Sequence, residues 1–133
     1  MSKIETHWES LSDEKWENLA RNYLRCEETD YEDQDEDCLT WGQIVTRLGM
    51  WGSAESLWHF LRLTLSLAET DRQLGGIAAG PIEYLLGRFG PEYIDRVENE
   101  VAENPQFAAA IRLCNQYMMT DEVWARVQKL QAR

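Results

Sequence analysis

The stretch Ile77-Ala-Ala-Gly-Pro-Ile-Glu-Tyr-Leu-Leu-Gly-Arg-Phe-Gly90 constrains this chain more tightly than any other. Pro81 suits the first position of a helix, where its missing N–H has no intrahelical partner to lose. Gly80 then supplies a flexible entry and Gly90 a left-handed exit, so the expectation is a short helix punctuated at both ends. Ile82, Leu85, Leu86 and Phe89 follow the three-and-four spacing that gathers side chains on one face. That face needs covering by other helices. Glu83, Tyr84 and Arg88 fall on the opposite, wetter side, and the stretch reads as a packing element around which the remaining helices gather.

A chain of 133 residues suits one domain spanning 1–133. Six tryptophans and five tyrosines among 44 % apolar residues can fill a substantial core. The formal charge of −11 argues against direct binding of nucleic acid, because Lys and Arg would have to neutralise the phosphates. It permits a basic protein partner, a basic small ligand, or imitation of nucleic acid. No apolar run reaches the roughly 20 residues that cross a bilayer, and Met1 to Glu9 lacks the apolar centre of a signal peptide. Cytoplasmic residence, with no membrane association, is therefore the default expectation. Cys26, Cys38 and Cys114 are odd in number and widely spaced, so reduced thiols are expected, although Cys26 and Cys38 bracket an acidic segment and could approach each other.

That segment brings eight carboxylates into the eleven residues from Glu27 to Asp37, with Tyr31 in their midst. Residues 1–38 hold 13 acids and 4 bases, whereas 39–133 hold 11 acids and 9 bases, so nearly all the charge imbalance is local. An acidic loop at about 27–38 is expected. Asp33, Asp35 and Asp37 alternate, yet the glycine and closing glutamate of a calcium loop are missing, so no metal site is assigned. The surface expected to bind a partner consists of Glu28, Asp30, Tyr31, Glu32, Asp33, Asp35, Glu36 and Asp37, together with Trp41.

Elsewhere the chain alternates capped helical patterns with breaks. Ser12 can cap a helix carrying Trp16, Leu19, Ala20 and Tyr23, with Trp8 and Leu11 folding back on the same face. Thr40 can cap a second carrying Trp41, Ile44, Val45 and Leu48. Ser53 opens a central helix, apolar on several sides from Leu57 to Ala68. Pro91 starts a helix with Ile94, Val97 and Val101, and Asn104-Pro105 ends it. Phe107, Ala110, Ile111, Cys114 and Met118 mark another, in which Cys114 is a small buried side chain. Thr120 caps the last, with Val123, Trp124, Val127 and Leu130 inward. The fold class is all-α, a compact orthogonal bundle or a short helical-repeat-like stack of about six or seven helices.

No pattern calls for a cofactor or supplies a catalytic residue. His59 has no placed acidic partner and reads as packed or hydrogen-bonded, and His7 as solvated. Arg62 could pair with a carboxylate of another helix. Glu69, Asp71 and Glu83 could divide acid and base roles only if they converge. Gly75, Gly76 and Gly80 match no phosphate-binding loop, and turn geometry accounts for them.

The chain resembles the bacterial family designated domain of unknown function 6869. The likeness rests on Trp58 with Phe60, on Ile77 to Gly90 with Ile94, on Asn104-Pro105-Gln106-Phe107 and on Val123-Trp124, and it covers about residues 40–130. The acidic stretch looks peripheral to it. The resemblance implies a small helical bacterial protein and brings no catalytic residues. Size and acidity alone are similar to those of toxin-neutralising immunity proteins, so the leading expectation is an interaction module that binds a basic partner such as a cognate toxin enzyme. The alternatives are a phage-type, nucleic-acid-mimicking inhibitor of host defence and a small carboxylate-dependent enzyme. Oligomeric state is not legible.

Overall fold

A computed structural model of the protein describes residues 8–133. The expectations for His7 and the preceding residues lie outside the described residues. Seven α-helices follow in order: α1 Asp13–Glu27, α2 Glu36–Trp51, α3 Ala54–Leu67, α4 Asp71–Ile77, α5 Glu83–Glu103, α6 Pro105–Ile111 and α7 Asp121–Gln131. No strand occurs among the described residues, and the fold is all-α as expected.

Local chemistry fixes most of the helix starts. The hydroxyls of Ser12, Ser53 and Thr120 accept the N–H groups of Lys15, Ser56 and Val123, satisfying donors that a first turn otherwise leaves unpaired. Asn104 does the same for Gln106 and Phe107 at the start of α6, with Pro105 in the first turn. Trp8 is buried in a 3-10 turn, its ring 6.4 Å from that of Trp16, so the entry folds back as expected. Thr70, unremarked in the sequence, forms a reciprocal cap with Gln73 at the start of α4. The second helix begins before the expected Thr40. Asp35 caps it by accepting the N–H of Cys38, and the Thr40 hydroxyl instead donates to the Glu36 carbonyl from within the helix.

The stretch from Ile77 to Gly90 is central but is not a short helix with two ends. Pro81 lies inside a π turn, Ala78–Ile82, that joins α4 directly to α5. A proline cannot give an N–H to the carbonyl four residues back, and widening the ladder lets the helix continue past it. Gly90 makes no left-handed exit; no glycine among the described residues has positive φ. The chain kinks one residue earlier, at Phe89 with φ −133° and ψ 20°, and resumes helix through Pro91. Gly90 serves proximity instead, because a Cβ there would stand 3.0 Å from a Val123 methyl carbon. Glu83 also departs from expectation: it is only 7 % exposed and accepts the Asn115 N–H at 2.8 Å. A buried carboxylate needs such donors.

Ile82, Leu85 and Leu86 are buried and Phe89 partly so, within one contiguous apolar cluster fed by every helix. The π turn touches α2, α3 and α6 as well as its chain neighbours, and α1 packs on α2, α3 and α4. A repeat stack confines contacts to successive units, so these long-range contacts identify a bundle. α6 ends at Ile111, short of the expected run. Cys114 lies beyond it, still buried, and burial pushes its thiol well above the usual range. Met118 is 75 % exposed with φ 57°, so it does not share the apolar face predicted for it.

Candidate functional site

The acidic segment is not one loop. Glu27 ends α1, Tyr31–Asp33 form a 3-10 turn, and Glu36 and Asp37 are already the first turn of α2, where negative charge meets the positive end of the helix. Several carboxylates are spent on holding this shape. Thr70 donates its hydroxyl to Glu28, and Arg72 pairs with Asp30, tying the segment to the start of α4. Asp35 caps α2. Asp37 accepts from Arg25 at 2.8 Å and from the Trp41 indole at 3.2 Å. Gln34 staples the turn by donating to the carbonyls of Cys26 and Thr29. Glu32, Asp33 and Glu36 are exposed and have no ion-pair partner among the described residues.

Cys26 and Cys38 form a disulfide with their Cα atoms 5.4 Å apart. The expectation of reduced thiols is overturned, because the turn that follows α1 reverses the chain and lays the first turn of α2 back against the last turn of α1. The buried bridge forms part of the wall of a cleft of about 660 Å³. Tyr31, Leu39, Met50 and Trp51 line it and remain exposed, Tyr31 by 79 % and Trp51 by 53 %. Exposed aromatic and methionine side chains around a concave surface are the usual makings of a contact site. Of the residues expected to bind a partner, Tyr31 alone lines this cleft, and Asp30 borders it through Arg72. Glu28, Glu32, Asp33, Asp35, Glu36, Asp37 and Trp41 do not line it.

Glu27 lies where this cleft meets a second of about 370 Å³ that runs to the π turn; Tyr23, Gly42 and Thr46 line both. Burial pushes the Glu27 carboxyl above its ordinary value, while Tyr23 and the nearby Arg72 pull the other way. Its carboxylate lies against Gly76, where a Cβ would come within 2.5 Å of it. The Tyr23 hydroxyl donates to the Gly76 carbonyl at 3.0 Å, and desolvation together with Glu27 holds its own ionisation well above the usual tyrosine range. Glu27, Leu39, Gly42, Met50 and Trp51 were not assigned to a site from sequence. One signal was available: α2 has more apolar residues than one inward stripe of Trp41, Ile44, Val45 and Leu48 can take.

Another cleft, of about 640 Å³, lies along α3 and α5 and contains His59 with Glu55 and Glu100. It is already internally paired. Arg62 binds Glu100 at 3.0 Å, and Glu55 accepts from Arg96 at 2.6 Å and from the Tyr93 hydroxyl at 2.5 Å. Those two hydrogen bonds, Tyr93 first, hold the Glu55 carboxyl below its ordinary value. His59 is exposed, packs edge-on against Trp16 at 5.1 Å and hydrogen-bonds to neither acid. Glu69 and Asp71 are exposed while Glu83 is buried on Asn115, so these three acids occupy unlike environments. No group of three or more His, Cys, Asp or Glu able to hold a metal ion occurs among the described residues. No helix among them is long and apolar enough to cross a membrane.

A family model described as a family of unknown function (DUF6869) matches residues 28–133, and the chain belongs to that family. The match begins ahead of the resemblance read from the sequence, at Glu28 within the acidic segment. No curated protein and no solved structure matches the chain.

Proposed function

We propose that this member of the family is a protein-interaction module rather than an enzyme, and that it binds and neutralises a basic partner in the manner of a bacterial immunity protein. One observation carries the reading: the cleft between α1 and α2 keeps Tyr31, Leu39, Met50 and Trp51 exposed, and the segment that carries Tyr31 also carries Glu32, Asp33 and Glu36, exposed and without an ion pair among the described residues. The apolar side chains supply contact area that gains from losing water, and the charges speed the approach of a basic surface. Nucleic-acid mimicry needs an open, regular row of acids, whereas here Glu28, Asp30, Asp35 and Asp37 are turned to internal partners. Cytoplasmic residence belongs to the same proposal. There the Cys26–Cys38 bridge would be open to reduction.

The test places a photo-crosslinking amino acid at Trp51 or, as a control, at exposed Glu122 on α7 in the native cell. One basic enzyme captured from Trp51 alone, and inhibited stoichiometrically by the purified protein, is the expected result. Equal capture from both positions, or a captured enzyme whose activity is untouched, would overturn the proposal.

A further inference from the structure

A second, open groove adjoins the proposed interaction surface at Glu27. We propose that this notch receives an arginine side chain of the bound partner, with its guanidinium on the Glu27 carboxylate and its stem between Gly42 and the π turn. This rests on the binding reading above and names the contact that would anchor it.

Four features of the notch point the same way. Glu27 is its only charged lining residue among those described. Its internal support is partial, because Arg72 forms its ion pair with Asp30 and the Tyr23 hydroxyl, which also reaches Glu27, donates to the Gly76 carbonyl. A half-buried carboxylate with no salt bridge of its own among the described residues can be satisfied by a cation brought from outside, and a planar guanidinium can bind both its oxygens at once. Tyr23 and Tyr84 offer ring surface to the guest's stem and cation. The remaining wall comes from residues with little or no side chain, Gly42, Gly76, Ala79 and Gly80, leaving about 370 Å³.

Gly42 is the most telling of these. It sits inside α2, where glycine is unfavourable relative to alanine, yet apart from its chain neighbours and the adjacent backbone of its own helix, no described atom stands within 4 Å of where its Cβ would be. Gly49, in the same helix, differs, since a Cβ there would strike the Tyr84 ring at 2.5 Å. Packing within the chain accounts for Gly49 and does not account for Gly42. A guest passing over the helix would need that space.

The experiment requires no knowledge of the partner. N-acetylarginine amide, its lysine counterpart and the neutral citrulline isostere are titrated into the intact protein while NMR follows the Glu27 carboxyl carbon and the Gly42 amide. Saturable shifts with the arginine probe, weaker with lysine and absent with citrulline, are expected. Glu27→Gln should weaken arginine binding by about tenfold or more, the loss of one charge-assisted hydrogen-bonded contact. Gly42→Leu should block it, while Glu103→Gln plus Glu122→Gln, exposed acids outside the clefts, should leave it intact. Binding lost equally on removing the exposed acids, or unchanged in Glu27→Gln, would overturn the notch as the site. Absent shifts with a partner still captured from Trp51 would defeat this inference alone, and arginine binding without such a partner would defeat only the proposed function.

Discussion

Two clefts of nearly equal volume, about 660 Å³ between α1 and α2 and about 640 Å³ along α3 and α5, have opposite chemistry. In the second, each arginine has its carboxylate and the tyrosine hydroxyl has its acceptor, so a guest would have to break Arg62–Glu100 or Arg96–Glu55 to enter. In the first, the walls are held by a disulfide and by ties to α4, while the aromatic rim stays exposed and Glu27 forms no salt bridge among the described residues, with only Tyr23 and, less strongly, Arg72 supporting its charge. Size therefore does not separate a binding site from a structural groove here. What separates them is which polar and apolar groups the fold has left unsatisfied.

The largest effect expected in testing this contrast is on stability. Cys38→Ser opens the bridge that holds the first cleft, and cross-linking across a loop of this length contributes about 3 kcal/mol by restricting the unfolded chain. Urea denaturation should show that loss, and adding reductant to the native protein should reproduce it. Little change in either would mean that the first cleft is held mainly by its hydrogen bonds, as the second is. Partner affinity comes next. Trp51→Ala should cost about 2 kcal/mol, roughly thirtyfold in Kd, as a buried aromatic anchor does. Arg62→Ala should leave binding unchanged and reduce stability by about 0–1 kcal/mol, because the Arg62 side of its pair with Glu100 faces water. Equal effects on binding would erase the distinction between the clefts.

A smaller effect pits stability against function at one residue. Gly42→Ala should raise stability by about 1 kcal/mol, since alanine is the better helix former and nothing crowds the new methyl group. It should weaken binding at the same time. A stabilised variant with undiminished affinity would show that Gly42 is merely tolerated.

How far these features were legible differs with their physical origin. Caps at Ser12, Ser53 and Thr120 depend on residues within one turn, and the sequence expresses them directly. The apolar face of Ile82, Leu85 and Leu86 is equally local. The errors arise where a distant group decides the outcome. Glu83 looks wet until Asn115 brings its N–H from beyond α6, and Gly90 looks like an exit until Val123 is packed against it. Cys26 and Cys38 meet because Asp35 starts α2 earlier than Thr40 would have done. The candidate site suffered more than the fold. Composition drew attention to the acids between Glu28 and Asp37, but the useful distinction between unpaired Glu32 and Asp33 and committed Asp30 and Asp37 depends on Arg72 and Arg25. Trp51 and Met50 could have been suspected as a surplus on α2; Glu27 could not, because its environment comes from α4.

The smallest effect concerns the two carboxylates that typify the clefts. Burial raises the Glu27 pKa in the folded protein, so the folded state favours its protonated form. Whatever stability this gives is complete below the unfolded pKa and is lost as pH rises through the raised folded value. Glu27→Gln mimics the protonated group and should therefore gain on the parent protein as pH climbs out of the acid range, with little difference below it. Glu55 runs the other way. Tyr93 and Arg96 stabilise its ionised form, so its contribution is present above the unfolded pKa and disappears as pH falls through the lowered folded value. Glu55→Gln should consequently lose stability at neutral pH and converge with the parent in acid. Thermal melts of the three proteins across pH 3 to about 8, a span covering carboxylate titration, should show curves that diverge from the parent in opposite directions. Both carboxylates keep contact with water, which limits each divergence. If Glu27→Gln instead lost stability at neutral pH, Glu27 would already have an internal cation, and the first cleft would be as self-satisfied as the second.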